Sequence, residues 1–130
     1  MTVEELKENF SYLTDWESRY AYLIELGENL PPFPEEDKTP ENKVEGCMSQ
    51  VWLTAHKNGD CFCFNATSDA VIVKGLIAVV LSAYSGKTSD EIKRVDIQKL
   101  FDELDLGTHL SPTRRNGFFA MVERIKKISA

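Results

Sequence analysis

The sequence predicts an α+β fold, a small antiparallel three-stranded sheet covered by helices on one face. Three observations carry this. Helical spacing with explicit start signals fills both ends of the chain. A strand-period stretch with a tight-turn signal fills only the middle. Strands and helices are therefore segregated rather than alternating, which is the α+β pattern. A chain of 130 residues suits one domain, 1–130. Such a chain buries roughly two-thirds of its unfolded surface, so its core stands without disulfides or a structural metal.

Each element has its own signal. Thr2 with Glu5 three residues on is a capping box, and Leu6, Phe10 and Leu13 follow at helical spacing. Asp15 starts a second helix, with Trp16, Tyr20, Leu23 and Ile24 on its apolar face and Gly27 as the stop. The N-terminal stretch is thus two short helices or one bent one. From Leu30 to Asn42, four prolines (Pro31, Pro32, Pro34 and Pro40) among acidic residues give an extended, irregular loop. Val51, Leu53 and Ala55 then alternate with Trp52, Thr54 and His56. Asn58-Gly59 signals a hairpin, and Asp60 to Ala66 returns. Lys43-Val44-Glu45 is the expected third, edge strand. Ser68 or Asp69 caps a helix to about Tyr84, apolar nearly all round and so the buried central helix, with Gly86 as its end. Thr88 and Glu91 form a further capping box. Asp96 caps Ile97 to Leu104, with Leu100 and Phe101 facing in and Gly107 as the stop. Ser111-Pro112 opens the last helix, which packs Phe118, Met121, Val122, Ile125 and Ile128.

Charge and cysteine usage narrow the function classes. Twenty-one acidic against 15 basic side chains give a net charge of −6. No basic stripe is present, which argues against a nucleic-acid or anionic-membrane partner. Three cysteines cannot all pair, so free thiols in a reducing compartment are expected. The acidic N-terminus lacks a signal-peptide layout, and the longest apolar stretch, Ala70 to Ala83, is interrupted by Lys74 and Gly75. A soluble, cytoplasmic protein is the expectation.

Cys47 is the first candidate for chemistry. It follows Gly46 between the proline-rich loop and a strand, where a thiol can reach a partner and act as a nucleophile once ionised. The alternative is a buried, inert cysteine. Cys61 and Cys63 share one face of a strand. A metal reading would join them to Cys47 and to Asp60 or His56, but C-x-C is not the paired C-x-x-C of a zinc site. Packing on a strand explains them better, and a disulfide between them is too long to close. His56 and His109 stand at no hydrolase spacing. Arg114 and Arg115 oppose the dipole of the last helix at its start, at about 0.3–1 kcal/mol each. They read either as surface salt bridges or as a cation aimed at an anion such as a thiolate or Asp69.

Longer motifs carry a resemblance. They are Asp15-Trp16-Glu17-x-Arg19-Tyr20, Leu23-Ile24-Glu25-Leu26-Gly27 with Leu30-Pro31, and Val44-x-Gly46-Cys47-x-Ser49-Gln50-Val51-Trp52. Ser68-Asp69-Ala70-x-Ile72-Val73-Lys74-Gly75-Leu76-Ile77-Ala78 and His109-Leu110-Ser111-Pro112-x-Arg114-x-x-Gly117 complete them. In this order, over nearly the whole chain, they resemble the SufE family of sulfur acceptors, CsdE-like members included.

The resemblance implies an α+β fold like that of U-type iron–sulfur scaffolds. It implies that Cys47 accepts sulfur from a cysteine desulfurase of the SufS or CsdA type, stimulates that enzyme, and passes the sulfur on for iron–sulfur cluster assembly. Asp69 and Arg114 match family positions near that cysteine. The chain is then a sulfur carrier rather than an enzyme. It needs no cofactor of its own, because pyridoxal phosphate belongs to the desulfurase. A scaffold complex and a second copy of the chain are further partners to consider. The rival is a U-type scaffold binding a cluster through Cys47, Cys61 and Cys63. The carrier reading expects a resting Cys47 tucked against Met48, Val51 or the central helix, with Arg114 as the activating cation held by Asp69.

Overall fold

A computed structural model describes residues 2–130. Two separate helices open the chain, α1 (Val3–Tyr12) and α2 (Trp16–Glu28). Thr2 caps α1 by accepting the Glu5 amide, whereas Asp15 precedes α2 without a side-chain cap bond. The proline-rich stretch that follows contains two 3-10 turns, Glu35–Asp37 and Pro40–Asn42.

Strands β1 (Val51–Asn58) and β2 (Cys61–Ser68) pair antiparallel from Val51↔Ser68 to Asn58↔Cys61. The two-residue turn is Gly59-Asp60, one position on from the Asn-Gly signal, with Gly59 at φ +66° in its first central place. Only glycine enters that region without strain, and a glycine there suits a II′ hairpin. The third strand is not Lys43–Glu45. That segment makes a single bridge, Lys43 to Trp52, and the Lys43 carbonyl is taken by Arg124. Strand β3 is Lys87–Thr88, which pairs with β2 at Phe62 and Cys61, so β2 is the central strand of the order β1-β2-β3.

Helix α3 (Val71–Tyr84) is the centre of the molecule, as its sequence predicts. Leu76, Ile77, Val79 and Val80 are all within 1% of full burial. Neither Ser68 nor Asp69 caps it. Ala70 holds the cap position, Ser68 turns back to the Ala70 amide, and Asp69 is used elsewhere. Around α3 stand α4 (Ser89–Arg94), α5 (Ile97–Glu103), α6 (Leu106–His109) and the long α7 (Pro112–Ser129). Both halves of the Thr88/Glu91 capping box form, and Asp96 and Ser111 cap α5 and α7. Gly107 lies inside α6 rather than ending α5, because Asp105 takes a left-handed conformation (φ 55°) and restarts the chain as a helix.

Gly27 is likewise not a stop. It lies within α2, buried against α3, and a Cβ there would come 2.7 Å from the Gly75 amide nitrogen. A Cβ on Gly75 would run into the Leu23 carbonyl, 2.7 Å from its carbon. The two helices therefore touch backbone to backbone. Replacing a helical Gly by Ala normally gains about 1 kcal/mol of propensity. Here the added methyl meets a backbone carbonyl that cannot rotate away, and overpacking of this kind costs roughly 1–3 kcal/mol or more. Gly75→Ala should therefore lower the urea unfolding midpoint despite the better helix former. An unchanged or raised midpoint would show that α2 can slide on α3.

Candidate functional site

Cys47 sits where three segments converge: the loop 46–50, the start of α3 and the first turns of α7. Gly46, at φ +88°, turns the chain into this loop, and a side chain there would press on Ala120, 3.3 Å from its Cβ. The far end of the loop is pinned by Asp69. Its carboxylate accepts the Gln50 amide at 3.0 Å, while its own amide donates to the Gln50 carbonyl at 3.3 Å. The stretch leading into the loop is held by Arg124 on α7, whose guanidinium donates to the carbonyls of Lys43 and Glu41. Nothing in the sequence singles out Arg124, one cation on a mixed helix face. Its role depends on a segment some 80 residues earlier passing beside it.

The Cys47 thiol points inward. Its Sγ lies 3.7 Å from the Gly117 carbonyl oxygen, placed for the S–H to donate. A Cβ at Gly117 would stand 3.6 Å from the sulfur, an ordinary contact distance, so the glycine and the thiol lie directly against each other. Beside the thiol is a cavity of about 20 Å³ bordered by Val51, Val73, Leu76, Phe118 and Met121. Sulfur seated in apolar surroundings and facing a carbonyl oxygen favours the neutral thiol, and burial pushes the Cys47 pKa up. The expected apolar seat against Val51 and the central helix is present. Met48 also borders the cavity but covers little of it, since the residue is 84% exposed.

The arginine pair divides its work. Arg115 donates to the Gly107 carbonyl at 2.6 Å and so ties α7 to α6. Arg114, whose amide completes the Ser111 cap, borders the Cys47 cavity from the exposed side. Among the described residues its guanidinium makes no ion pair, and Asp69 does not hold it; the Asp69 carboxylate accepts the Gln50 amide instead. The histidines lie elsewhere. His56 is on β1 opposite Cys63, and His109 stacks on Trp16 at 4.2 Å with Asp105 3.4 Å away.

The structure does not bring the three cysteines together. Cys61 pairs with Asn58 at the turn end of the hairpin, while Cys47 precedes Val51 at the other end. Seven residues of strand, roughly 23 Å, separate those ends. Among the described residues no three His, Cys, Asp or Glu side chains gather as a metal site. No helix of the described residues is long and apolar enough to cross a membrane.

The raised thiol pKa has a consequence for reactivity and for stability. Between the ordinary thiol pKa and the raised one, the unfolded chain has released its proton while the folded chain still holds it. Stability contributed by the neutral thiol is thus complete below the ordinary value and is lost as pH climbs through the raised one. Alkylation of Cys47 by iodoacetamide, followed by peptide mass spectrometry, should rise at higher pH in the folded chain than in the urea-unfolded chain. Coincident profiles would contradict the seat described for the sulfur.

The family model SufE, Fe-S metabolism associated domain, matches residues 4–129. An uncharacterized SufE-like protein of Rhizobium meliloti (strain 1021) is 47% identical over 129 residues, covering 96% of this chain and 92% of that protein. One from Rhizobium etli is 47% identical over 130 residues, covering 97% and 88%. In fold, the chain is similar to the solution structure of a hypothetical protein from Thermus thermophilus, with a TM-score of 0.76 at 19% identity over 98% of this chain and 94% of that one. A family model that runs almost from end to end, two relatives near half identity and a matching fold place this chain in the SufE family, the Fe-S metabolism associated domain.

Proposed function

We propose that the chain carries sulfur for iron–sulfur metabolism on Cys47, taking it from the persulfide of a cysteine desulfurase and passing it to a cluster-assembly acceptor. The observation that carries this reading is the seat of Cys47: one thiol, half-buried, beside an apolar cavity of about 20 Å³. About 10–15 Å³ of such space is what one water-sized group needs. The cavity therefore offers space on the scale of one small added atom beside the thiol, against largely apolar walls.

Transfer is thiol–disulfide exchange with a persulfide as the disulfide. The Cys47 thiolate attacks the outer sulfur of the donor's S–SH group. The new S–S bond forms on Cys47, the donor's S–S bond breaks, and the donor cysteine leaves as a thiolate that takes up the proton Cys47 released. The resting thiol is neutral, so ionisation needs the sulfur to leave its seat. Loop 46–50 is the part that moves, held at Gln50 by Asp69 and, a few residues before it, by Arg124. Once the sulfur swings toward solvent it loses the Gly117 carbonyl and approaches the unpaired Arg114 guanidinium, which favours the thiolate. The same loop presents Met48, and the start of α3 presents Val71, 57% exposed. Apolar side chains this open beside the nucleophile suit contact with the protein that delivers the sulfur. Docking would thereby supply the surface that lets the loop leave its seat.

Incubation with a cysteine desulfurase and cysteine, followed by intact mass measurement, tests the carrier role. One extra sulfur, about 32 Da, should appear on the native chain and vanish in Cys47→Ser. Its absence from the native chain, or its persistence in Cys47→Ser, would overturn the assignment. Arg114→Ala should slow sulfur uptake roughly tenfold, equivalent to about 1.4 kcal/mol in the barrier. The circular dichroism spectrum should be unchanged, since the guanidinium supports no other contact. Arg114→Lys should restore part of the rate. Uptake at the native rate in Arg114→Ala would remove the arginine from the mechanism.

A further inference from the structure

Strand β2 carries a pair of thiols that the Cys47 chemistry does not use. Cys61 and Cys63 stand two residues apart in unbroken antiparallel pairing, Cys61 opposite Asn58 and Cys63 opposite His56. Both side chains therefore leave the same face of the sheet. The other face belongs to the interior, where Phe62 and Phe64 stack with centroids 6.3 Å apart and meet the core. Neither Cys61 nor Cys63 packs against that core, although Cys47 does. Both thiols are free and partly exposed. The usual fate of a structural cysteine, burial as a small apolar side chain, is not theirs.

Their spacing excludes one partner and fits another. Positions i and i+2 on an extended strand lie about 6.8 Å apart. A disulfide needs its Cβ atoms within roughly 3.5–4.5 Å, so these two cannot close one. A metal ion between the sulfurs lengthens the reach: two bonds of about 2.3 Å, end to end, span ~4.6 Å. Opposite rotamers at the two positions, both common in strands, close what remains. With no third His, Cys, Asp or Glu completing a cluster among the described residues, an ion that demands four ligands lacks donors here. An ion satisfied by two soft sulfurs does not.

We propose that Cys61 and Cys63 form a two-sulfur site for a soft, monovalent d10 cation of the Cu(I) class. Binding forms two metal–sulfur bonds and breaks two S–H bonds, with no change in oxidation state. The two protons released go to solvent. The site lies at the turn end of the hairpin, away from Cys47, so it stands or falls independently of sulfur transfer.

The test is an anaerobic titration of the reduced full-length chain with Cu(I) buffered by bicinchoninate, a coloured competing chelator. Native protein and Cys47→Ser should each withdraw one equivalent and keep it in millimolar glutathione, because two thiolates on one strand act as a chelate. Cys61→Ser and Cys63→Ser should each weaken binding about 100-fold, the size of effect expected when a second tethered contact is lost. Bound Cu(I) should also protect Cys61 and Cys63 of the native chain from iodoacetamide while leaving Cys47 reactive, a readout that depends on no variant folding. The proposal is overturned if either serine variant binds as tightly as the native chain, if Cys47→Ser loses the equivalent, if glutathione strips the native protein, or if protection maps to Cys47.

Discussion

Backbone contact between α2 and α3 is the constraint on which the remaining architecture depends. Because Gly27 and Gly75 have no side chains, the two helices approach until one backbone rests on the other. That approach closes one side of α3. The sheet covers a second side through Val51, Leu53, Phe64 and Ala66, and α7 a third through Phe118, Met121, Val122 and Ile125. A helix with apolar residues all round has no solvent face to spare, so every side must find a partner. The position of α3 in turn fixes Asp69 just before its start and places α7 alongside, and the Cys47 seat is built between them.

Within that seat, protection and reactivity oppose each other. Apolar walls and a carbonyl acceptor keep the Cys47 thiol neutral, which guards it from oxidants and competing disulfides. The same features withhold the thiolate that any exchange reaction requires. Under the proposed carrier role, the two needs are separated in space. The resting sulfur faces Gly117, while the free cation, Arg114, stands at the exposed rim of the same cavity. In that reading, Asp69 at Gln50 and Arg124 on the Glu41–Lys43 stretch leave only the few residues between them to move, without opening the interior.

Much of the fold was legible in the sequence because its signals are local. The Thr88 capping box, the Asp96 and Ser111 caps and the apolar run of α3 each act within a few residues, and each appears where its pattern predicts. Glycines were misread for the opposite reason. Gly27 and Gly107 look like helix stops in sequence, yet both lie inside helices. Gly27 is there because α3 leaves no room for a Cβ. Gly107 is there because a Cβ would press on Phe101, 3.2 Å away. The third strand was misplaced because edge pairing depends on which segment the tertiary fold delivers to β2. Two residues after α3 reach it, and the 43–45 segment does not.

By itself the sequence determined the α+β class, the central helix, the hairpin and the cysteine that stands apart from the other two. Periodicity, capping and motif order are properties of neighbouring residues and survive without coordinates. Only the tertiary structure decided that Asp69 binds the Gln50 backbone rather than Arg114, that Arg115 serves α6 while Arg114 stays free, and that Arg124 anchors the approach to Cys47. The Asp69 and Arg124 contacts join segments some 20 to 80 residues apart. Their partners are backbone groups, which every residue carries alike, so no side-chain pattern announces them in advance.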